Sequence, residues 1–250
     1  MPTRYIGDGY WEIISRQMSI VTRSEQERFK DAKVAVIGAG GIGGSLIEML
    51  ARMGIGSLKI ADKDEYDLSN LNRQLMANLD TLGKSKIYST KDRVRKVNPY
   101  VKVEAFDEFV DETNVDKILK DVDIVIDALD NLLTRVIISR KSKELDIPFV
   151  HGAIYGTQGQ VTVFDNNTPS YEELFRLPSL GKDLNEETIA DLNKITNGVP
   201  PVIAPIPNII GNIEAFEAFK LITGIGTVTY APKLFKYNLL DLNSCIVEEL

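Results

Sequence analysis

Soft metal ligands and thiols are almost missing from this chain. In 250 residues there is one cysteine, Cys245, and one histidine, His151. A single thiol closes no internal disulfide, which suits a reducing compartment and gives the expectation of a cytoplasmic protein. One His and one Cys are also too few to build a structural zinc site. No apolar run approaches the roughly eighteen residues of a membrane-spanning helix, so none is expected. The opening Met1-Pro2-Thr3-Arg4 has no apolar signal region behind it, and no leader is expected either. Basic charge is in deficit, with 29 Lys and Arg against 36 Asp and Glu for a net charge of −7. That balance speaks against non-specific binding to nucleic acid or an anionic membrane, and leaves room for local basic pockets. With 44% hydrophobic and 26% charged residues, the composition is that of a globular protein. The length allows one large domain or two small ones.

What is present in quantity is glycine at one place. Val34-Ala35-Val36-Ile37 reads as a short buried strand, and Gly38, Gly40 and Gly43 then give the G-x-G-x-x-G spacing. Residues without a β-carbon allow a nucleotide to approach the backbone and the next helix to pack close to the strand. That helix, Gly41 to about Met53, turns its free N–H groups and positive dipole end toward an anion. Leu58 to Asp62 reads as a second strand ending in a carboxylate suited to ribose hydroxyls. A nucleotide is therefore expected, although NAD, FAD, SAM and ATP users all build this turn.

The N-terminal stretch carries Tyr10-Trp11 and Ser15-Arg16-Gln17 before a charged helix around Ser24 to Phe29. Exposed aromatics there predict docking onto the same chain or a partner subunit. Composition alone reads Arg16 as a solvated charge. Asp62 to Gln74 is a polar loop at the carboxyl end of the sheet, where ligands are handled. Its acids alone read as a solvated turn. Gly83 to Ser85 open a helix that Asn98-Pro99 stops. Lys86 lies in its first turn, where a cation opposes the helix dipole, and this points to an anionic ligand. Val101 to Phe106 is a third strand, Val115 to Leu119 a short helix, and Asp123 to Asp127 a fourth strand. Asp130 and Asn131 follow on the glycine-turn rim. Both qualify as N-cap of the helix Leu132–Leu145, which leaves one of them for a metal–phosphate ligand. Pro148 to Gly152 is a fifth strand, in which His151 reads as a satisfied core histidine. Gly159 to Phe164 begins an antiparallel extension. Residues 165–201, with a weak helix at Glu186–Ile195, read as a lid or binding loop. A helix between Asn208 and Gly224 and two terminal strands, Leu234–Leu240 and Cys245–Glu248, close the chain. Cys245 is expected to be buried and inert.

Several residues in order carry a resemblance: Gly38-x-Gly40-Gly41-x-Gly43, Asp62-x-Asp64, Ser69-Asn70-Leu71-Asn72-Arg73-Gln74, Gly83-x-x-Lys86, Asn98-Pro99, Asp130-Asn131-x-x-x-Arg135 and Gly156-x-x-Gly159-Gln160. Over nearly its whole length the chain resembles the ubiquitin-activating-enzyme-like adenylyltransferases of the ThiF/MoeB/HesA group. The resemblance implies an α/β fold, a Rossmann-like and mostly parallel sheet flanked by helices and extended by antiparallel strands. The expected parts are an arm (1–32), a nucleotide-binding part (33–164), and a lid loop, helix and antiparallel strands completing the same domain (165–250). It implies ATP-dependent adenylation of a carboxylate in a homodimer. Asp62 would hold the ribose, and Asn70, Arg73 and Lys86 the phosphates. Asp130 would bind Mg²⁺, and Arg16 would reach into the partner's site. Gly38, Gly40, Gly41, Gly43, Asp64, Gln74, Leu129 and Asn131 would complete the nucleotide site.

Departures from the family pattern sharpen these expectations. Ser170 and Glu173 stand where relatives carry the first C-x-x-C zinc pair, and no second pair precedes Leu250, so zinc is not expected. No cysteine stands near Thr196-Asn197, where relatives that go on to a thioester hold one. The expected product is therefore the acyl adenylate, with a separate thiol protein as acceptor. In these absences the chain resembles the zinc-free, cysteine-free members of the family that adenylate the carboxymethyl group of guanylylpyridinol, a hydrogenase cofactor precursor. That resemblance puts this group first among expected substrates. The C-terminal Gly-Gly of a ubiquitin-like sulfur carrier is the alternative, and a non-catalytic partner subunit a third reading.

Overall fold

The computed structural model describes residues 9–195 and 201–250; Met1–Arg4 and the Thr196-Asn197 position lie outside them. Helices α1 (Gly9–Ile13) and α2 (Arg23–Asp31) form the arm and lead into strand β1 (Lys33–Ile37). Then come α3 (Gly41–Met53), β2 (Ser57–Ala61), α4 (Lys86–Val97), β3 (Lys102–Phe106), α5 (Val115–Leu119) and β4 (Ile124–Asp127). Helix α6 (Leu132–Leu145) is followed by β5 (Phe149–Tyr155) and β6 (Gln158–Phe164). Helices α7 (Tyr171–Leu174), α8 (Glu186–Ile195) and α9 (Pro205–Thr223) precede β7 (Lys233–Asn238) and β8 (Asp241–Glu249). All eight strands belong to one sheet, in the order β3-β2-β1-β4-β5-β6-β7-β8. The first five are parallel and the last three antiparallel.

Strand β1 is apolar on both faces because helices cover both faces of the sheet. Val34 and Val36 point into one core, with Leu46, Leu50, Ile206 and Ile210 of α3 and α9. Ala35 and Ile37 point into the other, with Ile118, Val136 and Ile138 of α5 and α6. The arm docks onto its own chain, one of the two destinations its aromatics predict. Tyr10 Oη donates to the Gly54 carbonyl at 2.7 Å and accepts from Gln26 Nε2 at 2.8 Å. Gln17 Nε2 donates to Gln26 Oε1 at 2.7 Å. A capping box between Thr22 and Glu25 starts α2.

Two expectations need correction. Helix α9 starts at Pro205, not at Asn208: Pro205 and Pro207 occupy its first turn, where missing N–H donors cost nothing, and Asn208 Nδ2 donates back to the Ala204 carbonyl at 2.6 Å. Cys245 is exposed rather than buried. Strand β8 forms the sheet edge and none of its residues is buried, so its alternation points into no core. Ser170 and Glu173, where relatives carry cysteines, form the capping box of α7: Ser170 Oγ accepts from the Glu173 N–H at 3.2 Å and Glu173 Oε2 from the Ser170 N–H at 2.7 Å.

Candidate active site

Along the sheet, β1 feeds a connection to one side and β3 feeds one to the other, so the chain reverses direction between β1 and β4. Ligands bind at such switch points, beyond the carboxyl ends of the strands. A cavity of about 410 Å³ opens there. Its floor is the turn after β1. Gly38 has φ of +101°, and a β-carbon on it would lie 2.5 Å from the Ala128 carbonyl oxygen. A β-carbon on Gly43 would lie 2.0 Å from the Gly38 carbonyl oxygen, so Gly43 holds the turn against α3 from beneath. Gly38, Gly40 and Gly41 line the cavity; Gly43 does not.

Asp62 leaves the end of β2 and ties the turn to the next loop. Its Oδ2 accepts from the Ala39 N–H at 2.7 Å and its Oδ1 from the Asp64 N–H at 2.8 Å. Burial raises the Asp62 pKa above the ordinary carboxylate value, while the two N–H donors and the charge of Lys86 pull against it. Lys86, first residue of α4, is buried with its ammonium 2.8 Å from Asp64 Oδ2. Arg73 follows the 3-10 turn Leu68–Asn72 and donates through Nη1 to the Ser69 carbonyl and to Asn72 Oδ1, both at 2.9 Å. Beside it Gln74 is buried with Oε1 unpartnered. Across the cavity Asn131 caps α6, accepting from the Thr134 N–H at 2.9 Å. Asp130 is exposed on the rim, with no hydrogen bond or ion pair among the described residues. One of the pair caps, and the other stands open.

The cavity thus brings together Asp62, Asp64, Arg73, Gln74, Lys86, Leu129, Asp130 and Asn131 with the glycine turn. Besides Gly43, two expected residues stand apart. Asn70 is buried in the 3-10 turn, where its Oδ1 accepts from the Asp67 N–H at 3.1 Å. It shapes the loop that carries Arg73 and does not line the cavity. Arg16 is exposed on the 3-10 turn Ser15–Gln17, away from the cavity lining of its own chain. Among the lining residues not anticipated as site residues are Phe109 and Tyr155, with 71% and 67% of their surfaces exposed, and Pro207 of α9. Phe109 had a readable signal, an aromatic in a loop leaving the same rim as Asp130. Pro207 had none, since α9 arrives from far along the chain.

Beneath the cavity lies a buried polar cluster. His151 Nδ1 is 2.7 Å from Asp127 Oδ2, and both residues are buried. Burial pushes the His151 pKa down, so the ring is neutral at pH 7 and donates through Nδ1; it is the satisfied core histidine expected. Arg135 Nε lies 3.4 Å from the same Asp127 oxygen. Its Nη2 donates to the Gly152 carbonyl at 3.3 Å and also to the Leu129 carbonyl. Glu214 of α9 completes the cluster, fully buried with neither oxygen hydrogen-bonded among the described residues.

Burial, and then repulsion from Asp127, raise the Glu214 pKa well above the ordinary value, against the pull of Arg135. A raised folded-state pKa gives stability that is complete below the unfolded carboxyl pKa and is lost as pH rises toward the folded one. Glu214→Gln should remove this loss. In urea unfolding from pH 5 upward, wild type should lose stability relative to the variant by up to about 1.4 kcal/mol per pH unit. A parallel pH dependence of the two proteins would show that Glu214 is ionised in the fold.

No helix among the described residues is long and apolar enough to cross a membrane. Compared with known proteins, residues 14–249 match the family described as the ThiF family. The chain is 38% identical over 219 residues to a probable molybdopterin-synthase adenylyltransferase of Gracilaria tenuistipitata var. liui, covering 87% of this chain and 58% of that one. It is 33% identical to a sulfur carrier protein adenylyltransferase of Thermus thermophilus, covering 86% and 78%. The chain spans little more than half the length of the Gracilaria relative. The crystal structure of PaaA superposes with a TM-score of 0.77 at 25% identity, covering 100% of this chain and 76% of that one.

Proposed function

Because the chain belongs to the ThiF family, we propose that it activates a carboxylate by transferring adenylate from ATP, with the C-terminal Gly-Gly of a ubiquitin-like sulfur carrier as the acceptor. One observation carries the reading: a single cavity gathers the glycine turn, the cations Arg73 and Lys86 among others, and the acids Asp62 and Asp130, which differ in their surroundings. Of the two expected carboxylates, the carrier tail takes precedence over guanylylpyridinol. The similar proteins are named for molybdopterin synthase and sulfur carriers.

The chemistry asks for this set of residues. A carboxylate oxygen attacks the α-phosphorus, the bond to the β-phosphate oxygen breaks, and pyrophosphate leaves. Both reactants are anions, so repulsion must be offset by charges fixed in advance. In this reading the N-terminus of α3 and the open glycine backbone face the phosphates. Asp62, its carboxylate already oriented by Ala39 and Asp64 N–H groups, accepts from the ribose hydroxyls. Arg73 and Lys86 stabilise charge on the leaving pyrophosphate. Asn70 acts through the loop it caps. Arg16, exposed and without a hydrogen bond or ion pair among the described residues, is assigned to the site of a second copy.

The described residues contain no group of three or more His, Cys, Asp or Glu side chains able to hold a metal alone. Mg²⁺ bound to nucleotides takes most of its ligands from phosphate and water and one or two from carboxylates. The open carboxylate of Asp130 fits that demand, and a bound Mg²⁺ would supply further neutralisation of the triphosphate. No protein nucleophile is needed, so the reaction rests on positioning and fixed charge. The acyl group would then pass from the adenylate to a thiol on a separate protein, forming a thioester as AMP leaves.

Exchange of labelled pyrophosphate into ATP tests the reading. Exchange should require a Gly-Gly-tailed carrier and be absent with ATP alone. Exchange with guanylylpyridinol and with no carrier would transfer the assignment to the small molecule. ATP binding without exchange for any acceptor would make the chain a non-catalytic partner subunit.

A further inference from the structure

Lys86 sits where its charge is least welcome. It is the first residue of α4, at the positive end of the helix, and Ser85 before it makes no side-chain cap. Only 7% of its side chain is exposed, so water does little to stabilise the ammonium. A cation so placed needs an anion. Among the described residues the only carboxylate at ion-pair distance is Asp64, at 2.8 Å.

The two partners differ sharply in their surroundings. Asp64 is 59% exposed and lies on the polar loop at the cavity mouth. Its side chain is free to swing into solvent, whereas Lys86 is confined. Its backbone, by contrast, is fixed at both ends: the Asp64 N–H donates to Asp62 Oδ1 at 2.8 Å, and the Asp64 carbonyl accepts from the Lys86 N–H at 2.9 Å. Asp62 in turn accepts from Ala39 in the glycine turn. The main chain around Asp64 therefore links the phosphate-facing turn to the start of α4. Only the carboxylate is loose.

We propose that Asp64 is a displaceable counter-ion for Lys86. It holds the buried ammonium in place while the cavity is empty, yields it to an entering phosphate anion, and takes it back as pyrophosphate departs. Asp64 is thus a positioning residue that acts through Lys86. The inference rests on the nucleotide reading of the cavity and adds to it a means of product release. A permanent anion on the site would bind pyrophosphate poorly, while a bare buried ammonium would bind it too well. A partly exposed carboxylate gives an exchangeable partner between these extremes.

Titration of inorganic pyrophosphate and of ATP into the full chain, followed by calorimetry, tests this. Asp64→Asn keeps the shape and removes the charge. It should bind pyrophosphate about fivefold tighter than wild type, the factor expected on removing one competing, partly exposed ion pair. KM for ATP and kcat should fall together, because release becomes slower; damage to the fold would raise KM instead. In Asp64→Asn combined with Lys86→Met the gain should vanish. Asp64→Ser serves as a second charge-removing variant if the asparagine alters the thermal midpoint. Unchanged or weaker pyrophosphate binding in both variants, with wild type binding normally, would make Asp64 a fixed structural tie and overturn the proposal alone. A wild type that binds neither ATP nor pyrophosphate would remove the nucleotide reading and the counter-ion role with it.

Discussion

Replacing Asp130 by alanine should lower carrier-dependent exchange of pyrophosphate into ATP by about 10²–10³-fold, the range seen when one preorganised charge-stabilising group is lost. The same change should leave unfolding in urea within about 0.5 kcal/mol of wild type. Both expectations follow from one observation: Asp130 is exposed and makes no hydrogen bond or ion pair among the described residues, because Asn131 does the capping of α6. If Asp130 holds Mg²⁺, raising the Mg²⁺ concentration should restore part of the lost exchange. An Asp130→Asn variant should behave like alanine, since an amide has the shape and lacks the charge. Exchange that stays within threefold of wild type in both variants would remove Asp130 from the metal role. A large loss of stability would instead make it structural.

The division between Asp130 and Asn131 marks how far the residues alone could be read. Both side chains cap helices well, so composition placed one at the cap and one at a ligand without saying which. The glycine turn, Asp62 and α3 were legible because each is a contiguous pattern with a local physical cause: a steric requirement at Gly38 and Gly43, a strand ending in an acid, and a helix closed by Gly54 in the left-handed region. The start of α9 differs from the sequence reading because Asn208 has the side chain of an N-cap, while the helix begins three residues earlier with Pro205 and Pro207 in a first turn that tolerates them. Cys245 was misread because strand periodicity says which residues share a face and not whether anything covers that face. The assembly of the cluster beneath the cavity had no signal, although His151 was readable as a core histidine and Arg135 as part of a motif. Asp127, Arg135, His151 and Glu214 come from β4, α6, β5 and α9, and only the strand order brings them together.

That cluster leads to the largest stability effect expected in the molecule. Asp127 is fully buried, and its Oδ2 serves both His151 at 2.7 Å and Arg135 at 3.4 Å. The Arg135 side chain is only 12% exposed, so Asp127→Ala leaves a guanidinium with little water to replace its partner. Removing one member of a buried ion pair costs about 3–5 kcal/mol. For a chain of this length that corresponds to a thermal midpoint lower by roughly 6–20 °C. Activity should fall as well, because Arg135 holds the Leu129 carbonyl and so steadies the loop that presents Asp130. Glu214 adds a condition to the result. Once Asp127 is gone, the repulsion that helps keep Glu214 protonated disappears while the attraction of Arg135 remains. Glu214 then ionises more readily and becomes the substitute partner. The deficit of Asp127→Ala should therefore shrink as pH rises from 6 to 9, and should not shrink when Glu214→Gln is added. Urea unfolding of the single and double variants across that range decides the matter. A deficit under about 1 kcal/mol at pH 6 would show that Arg135 never depended on Asp127. A deficit that ignores pH would show that Glu214 does not face the guanidinium.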